Sequence, residues 1–469
     1  MKKVFCILMF LFPIVVNAQQ PWYKYSPLDY MWMNVGNEGF SGIEVNWISF
    51  TFSPTDGLPY IAYMGSLGKA TVMKFDGNNW VYVGNAGFSA DLAAYESLAF
   101  SPTNGQPYVA YMYYDWQNDY GASVMTFDGT SWVSVGAGFS VTEVLHVSLA
   151  FNPSNGQPYV AFQDVADYYK ATVMKFDGTR WVDVGVEGFS AGKANYESLA
   201  FSPIDSLPYV AFEDYQGSDW YTGKASVMKF NGTDWVYLGN AGFSAGATLY
   251  TSLAFSPSDG EPYVAYEDVE NHYGATVMKF DGTSWVNVGN AGFTAGWVAH
   301  TCLAFNPIDN MPYVAYGGDE DNQQNATVMK FNGENWVTVG NPDFSAGWAE
   351  YTSLAFSPSG QPYVAYQDFA NNNEATVMKY DSVYSGINES QESRLLVYPN
   401  PATDKITIEI AEGQAPSQLS MMNLNGEEVL TCSLIKPKTQ IDISNLPSGV
   451  YFMRLTNDKM VELGKFVKE

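Results

Sequence analysis

Residues 97–136 read SLAFSPTNGQPYVAYMYYDWQNDYGASVMTFDGTSWVSVG and contain four segments with strand character: SLAFSP, PYVAYM, ASVMTF and WVSVG. In the first segment, Leu98 and Phe100 fall on one face of a strand while Ser97 and Ala99 fall on the other. The connections SPTNGQ and FDGTSW are rich in Asn, Asp and Gly, which suit hairpin turns. The stretch therefore predicts one four-stranded antiparallel unit without a helix.

This unit recurs along the chain, and its clearest marker is a Pro-Tyr pair followed by small and apolar residues. Successive pairs are 48, 51, 50, 54, 50 and 50 residues apart, beginning at Pro59, Pro107, Pro158, Pro208, Pro262, Pro312 and Pro362. This period is typical of propeller blades and not of ankyrin, tetratricopeptide or leucine-rich repeats. Seven units of four strands predict an all-β fold, a seven-bladed β-propeller over residues 31–381.

The fourth strand type shows how the ring closes. Its Trp-x-x-Val-Gly pattern also occurs seven times, at Trp32, Trp80, Trp132, Trp181, Trp235, Trp285 and Trp336. The first copy precedes the first unit, and no copy follows the last ATVMKYD segment at residues 375–381. We therefore predict that residues 31–36 supply the outer strand of the blade formed by residues 353–381, which would remove two exposed sheet edges.

The composition limits the partners of this protein. Its 469 residues carry 49 Asp+Glu against 22 Lys+Arg, a formal net charge of −27, while 16% of residues are aromatic. A deficit of cations removes the electrostatic footprint that nucleic acids and anionic lipid surfaces require, so we expect neither as a partner. The recurring Trp of the fourth strand and the Phe of a recurring Gly-Phe-Ser step are expected to form the core between blades.

An aromatic or His residue stands five positions before the closing Phe of every innermost strand. These residues are Trp47, Tyr95, His146, Tyr196, Tyr250, His300 and Tyr351. Since each begins the strand nearest the axis, we expect a ring at the mouth of the central channel. The ring is a candidate ligand site, and its structural alternative is a plug that fills the channel. His146 and His300 are three blades apart without a partner at ligand spacing, so no metal site is predicted.

The loop between the second and third strands varies in length and lies on the same face as the channel mouth. Its candidate ligand residues are Trp116, Tyr169, Trp220 and Tyr273, together with Asp164, Asp214, Asp268 and Asp368. Aromatic rings mixed with carboxylates suit carbohydrate, whose C–H faces stack on aromatics, but they also suit a protein partner. Loops folded on their own aromatics, loop architecture built by the recurring Asp, and weak Ca²⁺ binding are the alternatives.

Catalytic patterns are sparse in the repeat region. A sialidase-type propeller needs a cluster of Arg to hold a carboxylate, and residues 31–381 contain one Arg, Arg180. The recurring loop Asp leave a carboxylate pair for glycoside hydrolysis open. We expect a monomeric binding protein, not an enzyme, with no cofactor. Carbohydrate is the favoured ligand, a protein-binding or structural surface role is the alternative, and a glycoside-active enzyme comes after both.

The two ends of the chain carry targeting features. Lys2 and Lys3 precede a short apolar run that ends in Val-Asn-Ala, so residues 1–18 are expected to be a cleaved signal peptide. No later apolar stretch reaches the roughly 20 residues of a membrane-spanning helix. A polar linker is predicted at residues 382–393, and alternating segments such as Ile406–Ile410 predict a small β-sandwich domain over residues 394–469.

The last segment resembles a known family. It contains YPNPATD from Tyr398, then MNLNGEEVL, IDISNLPSGVYFMRL and the terminal GKFVKE. These motifs together resemble the type A sorting domain of the type IX secretion system of Bacteroidetes. The resemblance implies a partner, the type IX machinery, and a secreted or cell-surface location. The positions that match as recognition residues are Gly449, Tyr451, Lys465, Phe466 and Lys468. The repeats are only loosely similar to kelch-like and lectin-type propellers.

Overall fold

The computed structural model describes residues 29–114, 120–136, 143–216, 222–318, 324–383, 396–409, 417–423, 427–457 and 460–469. The predicted signal peptide lies outside these residues, as does most of the predicted linker. The chain divides into a compact unit of residues 30–383 and a second unit that holds the described residues from 396 onward. The two units are described separately.

Residues 30–383 form seven four-stranded antiparallel sheets, which confirms the predicted fold class. We number the blades 1 to 7, each from its inner to its outer strand. Blade 1 contains β2 (Asn46–Phe52), β3 (Pro59–Met64), β4 (Ala70–Phe75) and β5 (Trp80–Tyr82). Blade 2 contains β6 (Leu92–Phe100), β7 (Pro107–Tyr114), β8 (Tyr120–Phe127) and β9 (Trp132–Ser134). Blade 3 contains β10 (Val144–Phe151), β11 (Pro158–Asp164), β12 (Lys170–Phe176) and β13 (Trp181–Asp183).

Blades 4 to 7 follow the same order. They contain β14 (Lys193–Phe201), β15 (Pro208–Tyr215), β16 (Lys224–Phe230), β17 (Trp235–Tyr237); β18 (Thr248–Phe255), β19 (Pro262–Asp268), β20 (Gly274–Phe280), β21 (Trp285–Asn287); β22 (Ala299–Phe305), β23 (Pro312–Gly317), β24 (Thr327–Phe331), β25 (Trp336–Thr338); β26 (Ala349–Phe356), β27 (Pro362–Asp368), β28 (Glu374–Val383), β1 (Asp29–Asn34). Short 3₁₀ turns occupy Ser66–Gly68, Val269–Asn271 and Phe369–Asn371.

Side-chain alternation explains why the blades pack against each other. In β3, Tyr60 and Ala62 belong to the core shared with blade 2, whereas Ile61 and Tyr63 belong to the core shared with blade 7. Each strand thus places large and small residues on both faces, and neighbouring blades interdigitate. The outer hairpin turns are fixed by local bonds: Asp76 accepts the N–H groups of the two residues before Trp80, and this lowers the pKa of Asp76.

The N-terminal strand closes the ring as predicted. β1 is the outer strand of blade 7 and pairs with β28. Beyond β1, the N–H of Val35 donates to the carbonyl of Val377 at 2.8 Å. The indole N–H of Trp32 donates to the carbonyl of Val339 in blade 6, also at 2.8 Å. The first strand of the chain is therefore bonded to its last repeat.

The joints between blades repeat one pattern around the ring. The indole N–H of each fourth-strand Trp donates to a main-chain carbonyl of the preceding blade at 2.6 to 2.8 Å. In six joints the Trp also stacks on the Phe of the Gly-Phe-Ser step, with centroids 4.0 to 4.3 Å apart. The Phe of the remaining joint, Phe139, lies outside the described residues. The expected role of these aromatics in the core between blades is confirmed for the described pairs.

A second seam runs along the inner strands. A Ser hydroxyl in each of six blades accepts a backbone N–H from the next blade at 2.9 to 3.0 Å. Blade 6 carries Cys302 at this position, and its sulfur receives the N–H of Leu354 at 3.3 Å. Cys302 is a free thiol, and so is Cys432 of the second unit, in the part of the chain that is described.

The second unit has two antiparallel sheets that share one apolar core. Ile406 and Ile408 of one sheet and Leu419 and Met453 of the other are fully buried in this core. The strands are β29 (Leu396–Tyr398), β30 (Lys405–Glu409), β31 (Ser417–Met422), β32 (Glu428–Leu434), β33 (Lys438–Asp442), β34 (Gly449–Asn457) and β35 (Met460–Lys468). Across the residues that the structure describes, no helix has the length and apolar character needed to cross a membrane.

Candidate binding site

The seven aromatic residues predicted at the channel mouth each lie on a β-bulge of the inner strand. In blade 2, Tyr95 and Glu96 together stand opposite the single residue Tyr111 of the next strand. The same shift of register occurs in all seven inner strands. Because a bulge redirects side chains, two consecutive residues of every blade line the central channel.

The backbone of every ring residue is left-handed. Their φ angles lie between +50° and +57°, at Trp47, Tyr95, His146, Tyr196, Tyr250, His300 and Tyr351. Bulky residues seldom adopt this conformation, which costs on the order of 1–3 kcal/mol per residue. Its repetition in seven blades indicates that the surrounding seams hold the ring in place.

These seven side chains form a closed ring, in which each contacts the next. Neighbouring ring centroids are 4.1 to 5.0 Å apart, with interplanar angles of 42° to 55°. Tilted pairs of this kind are favourable for aromatic quadrupoles. All seven side chains are half-buried, so part of each remains accessible. The structure thus brings together every residue of the predicted ring.

Two members of the ring are imidazoles. Burial lowers the pKa of His146 and of His300 to about 3, so both are neutral near pH 7. Among the described residues, no group of three or more His, Cys, Asp or Glu side chains is placed to hold a metal ion. The two imidazoles therefore bring no positive charge to the ring near pH 7.

The residue after each ring residue forms a second tier deeper in the channel. Its members are Ile48, Glu96, Val147, Glu197, Thr251, Thr301 and Thr352. Each of the three threonines donates its hydroxyl, at 2.5 to 2.6 Å, to the carbonyl of the ring residue in the preceding blade. The ring and the second tier line a cavity of about 280 Å³.

Glu96 and Glu197 are the exceptional members of the second tier. They are 5% and 6% exposed, and neither carboxyl group has a hydrogen-bond partner within the part of the chain that the structure describes. Burial raises the pKa of both well above the ordinary value for Glu, and the charge of Glu213 adds to this for Glu197. Sequence reasoning missed both residues, although each follows a ring Tyr in a Tyr-Glu-Ser segment.

The four recurring loop Asp do not form an exposed ligand surface. Asp164, Asp214, Asp268 and Asp368 are 1 to 3% exposed. Asp368, for example, accepts the N–H of Ala370 and the hydroxyl of Thr376. The other three likewise accept bonds from their own loop or the adjacent strand. Their geometry favours the loop-architecture alternative over direct contact with a ligand.

The loop aromatics lie on the same face as the ring, because the start of each inner strand pairs with the end of the second strand. Tyr169 lies 5.2 Å from the ammonium of Lys193, and Tyr273 packs on Trp297 with centroids 4.4 Å apart. Trp116 and Trp220 lie outside the described residues. Sequence reasoning missed Trp297, although repeat comparison could have found it, since Trp297 stands in Ala-Gly-Trp where blade 4 has Ala-Gly-Lys.

The candidate sorting residues occupy the second unit and differ in burial. Tyr451 and Phe466 are buried and stacked, with centroids 5.4 Å apart, and the Tyr451 hydroxyl donates to the carbonyl of Pro447. Lys465 is exposed and Lys468 is half-buried. Gly449 begins β34, and a side chain at this position would meet open space. The lysines are therefore the accessible members of this set, while the two aromatics belong to the core of the unit.

Comparison with known families identifies the second unit. Residues 396–469 match the family described as the secretion system C-terminal sorting domain. The predicted sorting domain is thereby confirmed. A type IX sorting domain directs secretion, so the protein reaches the cell surface or the outside of the cell.

Solved structures with some likeness to the chain are distant in sequence. PorZ, described as a surface component of the type-IX secretion system of Porphyromonas gingivalis, is 14% identical over 90% of this chain, with a TM-score of 0.44. This chain spans 59% of the length of PorZ. A polysaccharide lyase acting on ulvan is 13% identical, covering 72% of this chain and 94% of its own, with a TM-score of 0.48. Trypanosoma rangeli sialidase is 8% identical, covering 90% and 84%, with a TM-score of 0.41.

No protein of curated function matches the sequence. At these identities and TM-scores, the structural likenesses carry no functional argument. The function of the propeller must therefore be argued from its own site.

Proposed function

We propose that the propeller is the ligand-binding part of an exported protein and that its ligand is carbohydrate, bound at the channel mouth. The observation that carries this proposal is the closed ring of seven half-buried aromatic side chains that lines a cavity of about 280 Å³. Aromatic faces offer a stacking surface for the C–H faces of a pyranose, and the threonine oxygens below offer acceptors for its hydroxyls.

The size of the cavity limits what can enter it. Small-molecule pockets commonly measure about 300–1,000 Å³, so this cavity accommodates a single sugar ring and not a stretch of polymer. The proposed ligand is therefore a chain end or a branch, inserted along the propeller axis. Further residues of such a glycan would lie across the loop aromatics, including Trp297, which is 46% exposed.

The test is binding to a glycan array, followed by calorimetry on the glycans that bind. The variants replace two ring residues, Tyr250→Ala and Tyr351→Ala, and the control replaces an exposed tyrosine of the outer strand of blade 1, Tyr82→Ala. We expect the ring variants to lose binding while their circular dichroism stays that of the unaltered protein. Unchanged affinity in folded ring variants would overturn the proposal.

A protein ligand is the second candidate, because single large side chains protrude from the loop face. Tyr168 is 75% exposed and Trp297 is 46% exposed, as hot-spot residues of a protein contact often are before binding. If the protein is an adhesin that binds another protein, binding should depend on Tyr168 and Trp297 and should be unchanged in the ring variants.

We further propose that the module binds without cleaving its ligand. Glu96 and Glu197 share the cavity but have no hydrogen-bonded partner group among the described residues that would orient either as acid or base. Incubation of the protein with a polysaccharide panel should release no reducing ends. Release of sugar that Glu96→Gln abolishes would show a catalytic propeller instead.

A further inference from the structure

We infer that the channel mouth selects a sugar that carries a protonated primary amine, and that the buried carboxyl groups of Glu96 and Glu197 attract its ammonium group. This inference rests on the proposed carbohydrate function and names the class of sugar. It starts from the four carboxyl oxygens of these residues, which are buried and have no hydrogen-bond partner in the described structure, while the two residues themselves belong to the lining of the cavity.

Buried polar groups in proteins are nearly always hydrogen-bonded. The residues around the cavity offer no cation to these carboxyl groups, since its described lining contains no Lys or Arg. The two imidazoles of the ring are neutral near pH 7 because burial lowers the pKa of each. A partner for Glu96 and Glu197 must therefore come from outside the protein, and it must bring donors or positive charge.

The aromatic ring above the carboxyl groups suits a cation as well as a sugar face. Ammonium groups are attracted to the faces of Trp and Tyr within about 6 Å of the ring centroid. Trp47, Tyr95 and Tyr196 stand in the first tier of the blades that carry or neighbour the two glutamates. An amine that enters along the axis passes this aromatic surface before it reaches the carboxyl groups.

The second tier is divided into an acidic side and a hydroxyl side. Blades 2, 3 and 4 contribute Glu96, Val147 and Glu197, while blades 5, 6 and 7 each contribute a threonine. The threonine hydroxyls already donate to main-chain carbonyls, so their oxygens remain as acceptors. A ligand with an ammonium on one side and hydroxyl donors on the other matches this division, and an amino sugar has both.

A metal ion fits the same groups poorly. Ca²⁺ takes six to eight oxygen ligands, and a group of three or more ligating side chains is lacking among the described residues. A neutral N-acetylated sugar would leave both carboxyl groups without a charged partner. The free amine is therefore the feature that the site distinguishes.

The experiment compares two oligosaccharides of equal length by calorimetry, one of glucosamine and one of N-acetylglucosamine, at a pH that keeps the amine protonated. It uses the full mature protein and the variants Glu96→Gln, Glu197→Gln and their combination. The matched control is Glu44→Gln, an exposed carboxylate next to an inner strand on the same face. Circular dichroism checks that each variant is folded.

We expect the unaltered protein to prefer the glucosamine oligosaccharide by about 10- to 100-fold, the range of a charge-assisted hydrogen bond. Each single Gln variant should lower this preference, the double variant should abolish it, and Glu44→Gln should keep it. Equal affinity for the two oligosaccharides, or a preference that survives in the double variant, would overturn the inference while the carbohydrate proposal stands.

The ring variant Tyr250→Ala separates the two proposals. It should lose both oligosaccharides, whereas the double Gln variant should lose only the advantage of the amine. Binding of neither oligosaccharide to the unaltered protein would overturn the carbohydrate proposal and this inference together. A lysine derivative blocked at both main-chain ends serves as a final probe: if it binds and glucosamine does not, the amine belongs to a protein partner and the sugar assignment fails.

Discussion

Closure of the ring by the N-terminal strand makes a quantitative prediction about Trp32. Its joint with blade 6 has the same contacts as the joint of Trp235 with blade 3, at closely similar distances. The indole N–H donates at 2.8 Å in the first and 2.6 Å in the second, and each indole stacks on a Phe, with centroids 4.0 and 4.2 Å apart. If the ring is closed, the substitutions Trp32→Phe and Trp235→Phe should cost the same free energy of unfolding.

The magnitude follows from the hydrogen bond that both substitutions remove. A buried carbonyl that loses its donor costs about 1–3 kcal/mol, whereas much of the aromatic burial survives in Phe. We therefore expect each variant to lose about 2 kcal/mol, measured by urea denaturation of the mature protein. Removal of residues 20–36, which deletes the closing strand, should lower the melting temperature sharply.

An open stack of blades behaves differently, because a terminal strand can fray without loss of the remaining structure. Trp235→Phe would then destabilise the protein while Trp32→Phe would leave the free energy of unfolding unchanged. That combination, or an unaltered melting temperature after removal of residues 20–36, would refute closure.

Two buried groups and the sorting domain can be tested in the same way. Burial raises the pKa of Glu213 from 4.5 to about 8, so between these values the folded state keeps a proton that the unfolded chain releases. As the pH rises from about 5 to 8, the free energy of unfolding should therefore fall by up to about 1.4 kcal/mol per pH unit. Parallel stability profiles for the protein and Glu213→Gln would contradict this prediction. Cys302→Ser restores the hydroxyl acceptor found in the other blades and should raise the free energy of unfolding by about 0.5–1 kcal/mol. Ser252→Cys should lower it by a similar amount. Unchanged midpoints of urea denaturation in both variants would show that this seam contributes little to stability. A reporter fused to residues 388–469 should be exported by a host with the type IX machinery. In the Tyr451→Ala variant, which leaves a cavity at a buried position, the fusion should stay in the periplasm. Periplasmic retention of the intact fusion would refute the sorting role.

The architecture was predictable because the same four-strand pattern recurs seven times along the chain. The Pro-Tyr period gave the number of blades, and the position of Trp32 ahead of the first repeat indicated which strand closes the ring. The Trp and Phe of the joints were predictable as core for the same reason, since a large aromatic that recurs at a fixed offset in every repeat is most simply a packing contact.

The chemistry of the channel was only half predictable, and the β-bulge is the reason. Counting in steps of two back from Phe100 places Glu96 with Leu98 on the packed face of the strand, not at the channel. The bulge at Tyr95 breaks this alternation. Residues with left-handed backbone are usually Gly, Asn or Asp, whereas here they are aromatic or His. The sequence therefore carried no sign of this shift in strand register.

The bulge also divides the work between two neighbouring positions in each blade. The first is always aromatic or His, because each ring must contact the next for the circle to close. The second is free to vary, and a channel selected for stability alone would repeat threonine, whose hydroxyl finds a carbonyl in the preceding blade. Glu96 and Glu197 abandon that bond and leave buried carboxyl groups without a partner in the described structure, at a cost of about 1–3 kcal/mol each. Departures from a local rule that the same chain obeys elsewhere are expected at functional sites, and the two glutamates are such departures.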